Sequence, residues 1–266
     1  ALAAARACWP RPPRATTRAR PTVSAPTVRA ERLRSRRIDA RARRSSRRAR
    51  SAYGAPAVLS EKGRRSLDGL GGVDSLSLDP HKWLFQPIEI GAVLLRDRED
   101  LRRTFRVLPE YLRDVEGVEG ETNFRDYGIQ LTRGFRALKL WMSLQVFGEE
   151  GFRAAVGRGI ELAEFAEGCL RALKAWEVLT PAHLGIVAFR FAPSPFDPPA
   201  HDRMNRSLVD ELNRGGLAMI SSTELRGRTA LRMCTINPRT SEEDIRATVE
   251  RLSELADRLL PHDPSP

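Results

Sequence analysis

The chain has 266 residues, of which 41% are hydrophobic and 30% charged, and its formal net charge is +11. Residues 1–50 hold 16 arginines, no lysine and two acids, so they carry a charge of +14, whereas residues 51–266 carry −3. The body of the chain is therefore mildly acidic, which excludes a protein that binds nucleic acid through overall basicity. No apolar run approaches the ~20 residues that a membrane helix needs, and the N-terminus lacks the apolar region of a secretory signal.

The first fifty residues are rich in Arg, Ala, Pro and Ser and show neither helical nor strand periodicity. Such a segment buries too little apolar surface to offset the entropy of ordering, so we predict that residues 1–50 are disordered. Three origins stay open: a nucleic-acid-binding tail, a transit peptide, or a stretch translated out of frame. Sixteen arginines without a lysine favour the third origin.

Two strands, two helices and a loop are predicted next. Residues 73–78 and 88–95 are apolar runs of strand length. Residues 97–107 form a helix with acids in its first turn, where they suit the helix dipole. Residues 109–126 contain glycines and little periodicity, which predicts a long loop. Apolar side chains at helical spacing then predict a helix over residues 127–147.

The second half predicts a small α/β module with a short antiparallel sheet. Its predicted elements, in chain order, are a helix at 149–175, a strand at 185–191, a helix at 202–214, strands at 217–221 and 229–236, and a helix at 241–260. The last helix opens on the capping-box pattern "TSEE" at residues 240–243. The "GEEG" sequence at 148–151 predicts a domain boundary, with domains at 51–148 and 149–266.

The three cysteines, Cys8, Cys169 and Cys234, form no CxxC pair and are odd in number. A disulfide framework or a zinc site is not expected, and a reducing cytoplasm fits this usage. Cys169 and Cys234 lie in apolar periodic stretches, so we predict that both are ordinary core residues.

A lysine follows the first predicted strand in the sequence "SLSLDPHKWLFQP" at residues 75–87. Lys82 stands between an imidazole and an indole, and a lysine with such neighbours at a strand end suggests a nucleophile that forms a Schiff base with an aldehyde cofactor. On charge and position alone, an ordinary surface lysine after a strand is the favoured interpretation. His81 is either a cofactor contact or a packing residue.

Three segments carry a family resemblance: "DSLSLDPHKWLFQP", "FRVLPEYLRD" and "GFRALKLW". Their order, spacing and residue identities resemble those of the group II pyridoxal-phosphate-dependent amino acid decarboxylases over residues 51–260. The resemblance implies an α/β fold, namely the C-terminal portion of a fold type I pyridoxal-phosphate enzyme. It also implies pyridoxal 5'-phosphate as cofactor, an amino acid substrate, a homodimer and a cytoplasmic location.

The resemblance also assigns roles to single residues. Lys82 forms the Schiff base, and His81 contacts the cofactor or its phosphate. Asp79 is either close to the phosphate or a turn cap. Tyr111 matches a loop tyrosine that returns a proton to the substrate carbon, which favours amine over aldehyde as product. Ala52 matches the cofactor-binding motif Asp-Ala-Ala-Tyr.

Further side chains are given alternatives. Arg133 is either close to the active site or a solvated helix residue. The aromatic side chains of Trp83, Phe85, Phe135 and Trp141 are predicted to pack in the core.

The sequence departs from the family in two respects. Family members run close to twice this length, and their phosphate-binding and dimer-forming segments are not recognisable here. Arg50 replaces the aspartate of the motif, which bonds the pyridine nitrogen in the family. We therefore expect an impaired fragment of a decarboxylase that acts on an aromatic amino acid. An aminotransferase-like or aldehyde-forming enzyme of the same fold, and a non-catalytic nucleic-acid-binding protein, remain the alternatives.

Overall fold

The computed structural model describes residues 48–106 and 122–260, which form two sheets with helices packed against them. The first sheet has the order β1-β2-β3. Its strands are β1 (Arg48–Arg50), β2 (Ser75–Leu78) and β3 (Ala92–Leu95), with β1 parallel and β3 antiparallel to β2. Residues 48–50, predicted to be disordered, are therefore a strand, and that part of the prediction is wrong.

Short helices lie between β1 and β2 and after β3. A 3₁₀ helix at Ala55–Leu59 leads into α1 (Glu61–Ser66), whose N-cap Ser60 accepts a hydrogen bond from the backbone of Gly63. Helix α2 (Glu99–Phe105) carries Glu99 and Asp100 in its first turn and confirms the helix predicted at residues 97–107. Another 3₁₀ helix follows at Phe124–Tyr127.

The long helix α3 (Ala137–Arg171) joins the two sheets. Gly148 interrupts its helical geometry with φ of 68°, a value that glycine adopts at little steric cost, so the break predicted at this point is confirmed. Whether a domain boundary lies there remains a prediction. The helix begins ten residues after the predicted start at residue 127, because residues 128–136 adopt an irregular path.

The second sheet has the order β4-β5-β7-β6 and is antiparallel throughout, as predicted. Its strands are β4 (Trp176–His183), β5 (Ile186–Phe191), β6 (Ser221–Leu225) and β7 (Arg228–Cys234). Helices α4 (Pro198–Gly215) and α5 (Glu242–Leu259) pack with α3 against one face of the sheet and enclose its main core. The strand predicted at 217–221 actually begins at Ser221, and β4 was not predicted.

Several predicted details change in the structure. The capping box of α5 uses Ser241 and Asp244, one residue later than the pattern proposed from the sequence. Cys169 packs against the main core as expected, whereas Cys234 is exposed, so its predicted core position is wrong. In the described ranges, no helix has both the length and the apolar character of a membrane span. The same ranges hold no cluster of His, Cys, Asp and Glu suited to a metal ion.

Gly63 provides a first test of this fold, because a Cβ atom there would lie 2.0 Å from the carbonyl oxygen of Ala57. Backbone atoms cannot move aside cheaply, so we expect Gly63→Ala to lower the free energy of unfolding by about 3 kcal/mol, although alanine normally favours a helix. Urea unfolding measures the loss. Gly71→Ala is the matched control, since nothing lies within 4 Å of its Cβ position. Equal stability of the two variants would contradict the packing of α1.

Glu167 gives a second test, because its carboxylate joins α3 to β4. It accepts the backbone N–H of Ala182 at 2.6 Å and the Arg171 Nε–H at 2.7 Å. The Ala182 bond, more than Arg171, holds the pKa of Glu167 below its usual value of 4.5 despite the opposing effect of burial. Its stabilisation is therefore full above pH 4.5 and is lost as the pH falls through the folded-state pKa.

We expect Glu167→Gln to destabilise the protein by about 1–2 kcal/mol at neutral pH. The difference should shrink at more acidic pH, where the wild-type carboxylate is protonated as well. Urea unfolding at both pH values checks this expectation, with the exposed Glu250→Gln as control. A difference that does not depend on pH would show that the charge of Glu167 has no part in the stabilisation.

Candidate active site

The site begins where strand β2 ends and the chain turns at residues 79–86. The turn is closed by backbone hydrogen bonds from the N–H of Lys82 to Asp79 O (2.9 Å), of Phe85 to Lys82 O (3.1 Å) and of Gln86 to Pro80 O (3.2 Å). It lies at the carboxyl end of the parallel pair β1 and β2, where open α/β sheets bind their ligands. The backbone of Lys82 is thus bonded on both sides, which fixes the position from which its side chain extends.

Lys82 keeps its amine accessible, since 42% of its side chain is exposed. The Nζ atom forms an ion pair with Asp79 Oδ2 at 2.7 Å. The backbone N–H of Asp79 donates to Ala52 O at 2.9 Å. Asp79 therefore holds the lysine amine through its side chain and the strand before Ala52 through its backbone. This contact with Lys82 was not foreseen in either role considered for Asp79.

His81 is held by the segment that precedes β3. Its Nδ1 atom lies 2.7 Å from Ile90 O and 3.3 Å from Ile90 N. The shorter distance favours the tautomer in which Nδ1–H donates to the carbonyl, which leaves Nε2 as the acceptor of the ring. The imidazole is half-buried and fixed in orientation beside Lys82.

Strand β1 brings the start of the site next to the lysine turn. Arg50 stands opposite Ser77 in the parallel register, and the Ser51 N–H donates to Ser77 O at 3.1 Å. Ala52 follows directly and accepts the Asp79 N–H described above. Three of the five predicted site residues, Asp79, His81 and Lys82, therefore lie in one turn, and a fourth, Ala52, is hydrogen-bonded to it. Tyr111 lies outside the described residues.

Aromatic side chains pack together at the buried side of the turn. Trp83 is fully buried and stacks on Tyr53 with ring centroids 5.7 Å apart. Burial raises the pKa of the Tyr53 phenol, and the nearby Cys234 raises it further while Arg232 opposes the change. Tyr53 is a residue of the site that the sequence identified only as part of a motif.

The four aromatic residues predicted to form one core cluster divide into two groups. Trp83 and the half-buried Phe85 do pack inside, and Phe85 stacks on Phe152. Phe135 and Trp141 are exposed at 74% and 58%, so their predicted core position is wrong. The guanidinium of Arg133 lies 5.8 Å from the centre of the Phe124 ring on the surface, which fits the solvated alternative for this residue.

Pyridoxal phosphate needs an amine for its aldehyde and donors for its phosphate, and the family resemblance implies a carboxylate at its ring nitrogen. The accessible amine of Lys82 and the fixed imidazole of His81 fit the aldehyde end. The position that carries the ring-nitrogen carboxylate in the family holds Arg50, and a cation there does not fit. Among the described residues, the aldehyde end of the cofactor therefore has its partners, whereas the ring-nitrogen position is mismatched.

Comparisons with known proteins show which sequences this chain resembles. A sequence model described as the pyridoxal-dependent decarboxylase conserved domain matches residues 50–192. An aromatic-L-amino-acid decarboxylase of Bacillus atrophaeus is 50% identical over 209 residues, which make up 78% of this chain and 44% of that protein. Tyrosine decarboxylase 2 of Arabidopsis thaliana is 31% identical over 80% of this chain and 39% of its own length.

Solved structures extend the similarity to the fold. The crystal structure of Oryza sativa TDC with PLP and tryptamine matches with a TM-score of 0.73 and 27% identity, over 80% of this chain and 45% of that one. Catharanthus roseus tryptophan decarboxylase in complex with L-tryptophan matches with a TM-score of 0.69 and 28% identity, over 80% and 44%. The predicted α/β class, with part of a fold type I architecture, is confirmed, and the chain spans less than half the length of these relatives.

Proposed function

Because the chain belongs to the pyridoxal-dependent decarboxylase family, we propose that it serves the decarboxylation of an aromatic amino acid, with pyridoxal phosphate held at Lys82. The observation that carries this proposal is the accessible Lys82 amine in a turn braced by Ala52, Asp79 and His81. The aromatic substrate class is supported by the Bacillus atrophaeus relative and by neighbours solved with tryptamine and L-tryptophan.

The cofactor, when bound, supplies a ring that accepts the electrons left behind by the departing carboxylate. Lys82 contributes the nucleophilic amine, which must lose a proton and separate from Asp79 before it can attack an aldehyde. Asp79 Oδ2 holds the amine in place through the ion pair at 2.7 Å, so it fixes where the Nζ atom lies before the amine is used. His81 is held by its hydrogen bond to Ile90, so its imidazole ring keeps one orientation beside Lys82.

We also propose that the protein acts as a homodimer in the cytoplasm. The dimer is supported by large apolar side chains that lie exposed along residues 129–146, namely Ile129, Leu131, Phe135, Leu138, Trp141, Met142, Leu144 and Val146. These side chains follow one another along the chain instead of being scattered singly over the surface. An exposed apolar patch of this kind typically contacts another protein. The cytoplasmic location is supported by the free thiols of Cys169 and Cys234.

A chimera tests the proposed activity. In it, residues 48–260 replace the matching segment of the Bacillus atrophaeus relative, which supplies the portion that this chain does not span. Borohydride reduction in the presence of pyridoxal phosphate should attach the cofactor to Lys82, and peptide mapping identifies the modified residue. A cofactor that attaches elsewhere, or not at all, would contradict the proposal.

Product analysis separates the alternatives within the family fold. Amine and carbon dioxide from an aromatic amino acid support decarboxylation, whereas aldehyde would favour the aldehyde-forming alternative. The comparisons do not favour the nucleic-acid-binding alternative, since the matched family and relatives are decarboxylases.

A further inference from the structure

The residue after Lys82 is anchored more firmly than the lysine itself. Trp83 has no exposed surface, whereas Lys82 is 42% exposed at its side chain. The indole lies in a small buried cluster with Ala57, Val156, Ile160 and Leu184, separate from the main core. A rigid side chain thus follows directly after an accessible amine, so any shift of the indole is transmitted to Lys82 through one peptide unit.

Two glycines set the room available to this indole. A Cβ atom at Gly159 on α3 would lie 3.3 Å from Trp83 Cζ2 and Nε1, and one at Gly185 would lie 3.2 Å from Cζ2. Gly185 also has a φ of +80°, in the turn between β4 and β5, which itself favours glycine. The indole therefore contacts backbone on two sides, and backbone yields less than the end of a flexible side chain.

Thr235 links the backbone at Gly159 to the backbone at Gly185 by hydrogen bonds. Its Oγ1 lies 2.7 Å from Gly159 O and 3.2 Å from Gly185 O, and its backbone N–H donates to Gly185 O at 2.9 Å. Helix α3, the β4–β5 turn and the residue that follows β7 are thus joined by hydrogen bonds next to the indole. All three elements lie far along the chain from Lys82.

We propose that Trp83 is a positioning residue, through which Gly159, Gly185 and Thr235 fix the location of the Lys82 amine. We call these four residues the tryptophan lock. The Nε1–H of Trp83 has no hydrogen-bond partner among the described residues, so the indole serves here by its size rather than as a donor. The proposal rests on the proposed function insofar as Lys82 is the reactive amine.

A purely structural role for Trp83 makes a different prediction. Ordinary core packing would change the free energy of unfolding and leave the chemistry of Lys82 untouched once the protein is folded. The lock instead predicts that a small displacement of the indole alters Lys82 in the folded protein. A Cβ atom 3.3 Å from the indole requires the ring to move by a few tenths of an ångström. Because misplacement of a reacting group by about 1 Å can cost up to ~10²-fold in rate, a shift of this smaller size should still be measurable.

The test compares Gly159→Ala with Gly157→Ala in the full chain. Both lie on α3, but nothing lies within 4 Å of the Cβ position at Gly157. The chain has four lysines, so an amine-acylating reagent followed by peptide mapping gives the labelling rate of Lys82 relative to the exposed Lys174. The second readout is pyridoxal phosphate trapped on Lys82 by borohydride.

We expect Gly159→Ala to raise the relative labelling of Lys82 by roughly tenfold, because a displaced turn frees the amine from Asp79. Trapping of pyridoxal phosphate should fall by a similar factor, because the amine no longer has a fixed position. Gly157→Ala should leave both readouts unchanged. Opposite changes in labelling and trapping are a signature that loss of packing alone does not produce.

Folding is checked by circular dichroism, and Trp83→Phe replaces Gly159→Ala if the latter does not fold, since a smaller ring introduces no clash. Equal Lys82 labelling in the folded variant and in Gly157→Ala overturns the lock. If the unaltered chain traps no pyridoxal phosphate on Lys82, the proposed function fails at this residue. The labelling ratio does not depend on the cofactor and still decides the lock.

Discussion

Changing Arg50 to aspartate is expected to raise carbon dioxide release by about 10²–10³-fold in the chimera that carries residues 48–260. The family resemblance implies an aspartate at this position. Its carboxylate holds a proton on the pyridine nitrogen of the cofactor. Two like charges ~4 Å apart repel by about 4 kcal/mol at an effective dielectric of ~20. Arg50 at that distance would lower the pKa of the ring nitrogen by roughly 3 units.

The structure supports the placement of Arg50 beside the lysine turn. Arg50 ends β1 and stands opposite Ser77 in the parallel register, while Ala52 is bonded to the backbone of Asp79. The carboxyl ends of β1 and β2 therefore meet at the same edge of the sheet. We expect the side chain at position 50 to lie near the ligand that Lys82 holds, so exchanging the cation for a carboxylate should reverse the electrostatic effect there.

Arg48→Asp is the matched control for this prediction. Side chains alternate along a strand, so Arg48 and Arg50 share a face and their Cα atoms are separated by roughly 6.6 Å. Both substitutions change the net charge by the same amount, but only position 50 adjoins the lysine turn. Carbon dioxide release from a panel of aromatic amino acids measures the effect. An equal rise in both variants would attribute the gain to net charge, and no rise in either would show that Arg50 does not face the ring nitrogen.

Local patterns predicted the elements that lie in the main core. Strand β5, helix α4 and helix α5 were all found close to the expected positions, because their apolar side chains repeat with the period of the element that buries them. The capping pattern at the start of α5 was displaced by a single residue, since Asp244 rather than Glu243 reaches back to the N-cap.

Elements that depend mainly on pairing with neighbouring strands were not predicted from the sequence. β4 is an edge strand that contains Pro181 and two irregularities in its pairing with β5, so it lacks a clean alternation of apolar residues. Residues 48–50 read "RAR" and become a strand only through pairing with β2. The helix predicted from residue 127 starts at Ala137, and the apolar side chains of Leu131 and Phe135, which follow the helical period in the sequence, lie exposed before it.

The candidate site shows the same division between motif and packing. A sequence motif shared with the family identified Asp79, His81 and Lys82, and the fold places all three in one turn. The ion pair of Asp79 with Lys82 and the bond of His81 to Ile90 depend on side-chain geometry that a motif does not specify. Gly159 and Gly185 bound the indole next to the lysine from positions about 76 and 102 residues away in the chain, and sequence periodicity carries no information on such distant contacts.

Replacing Lys82 with alanine is expected to remove all pyridoxal phosphate that borohydride can trap on the chain at low excess of cofactor. In the chimera, carbon dioxide release should fall by roughly 10³-fold or more, the order of loss that follows removal of a covalent nucleophile. The physical reason is the position of the amine, which is accessible at the carboxyl end of β2 and held by a single carboxylate. Absorbance of the bound cofactor and peptide mapping after reduction measure the capture.

The remaining lysines make this expectation specific. Lys62 pairs with Glu164 at 2.5 Å, and Lys139 donates to the carbonyls of Pro87 and Glu89 at 2.9 Å each. Lys174 is exposed near the end of α3. None of these three lies in the turn at 79–86, so Lys139→Ala should trap as much cofactor as the unaltered chain. Lys82→Arg keeps the positive charge beside Asp79 but not a nucleophile, because arginine stays protonated. Capture in Lys82→Arg would mean that the charge at position 82, and not its amine, retains the cofactor.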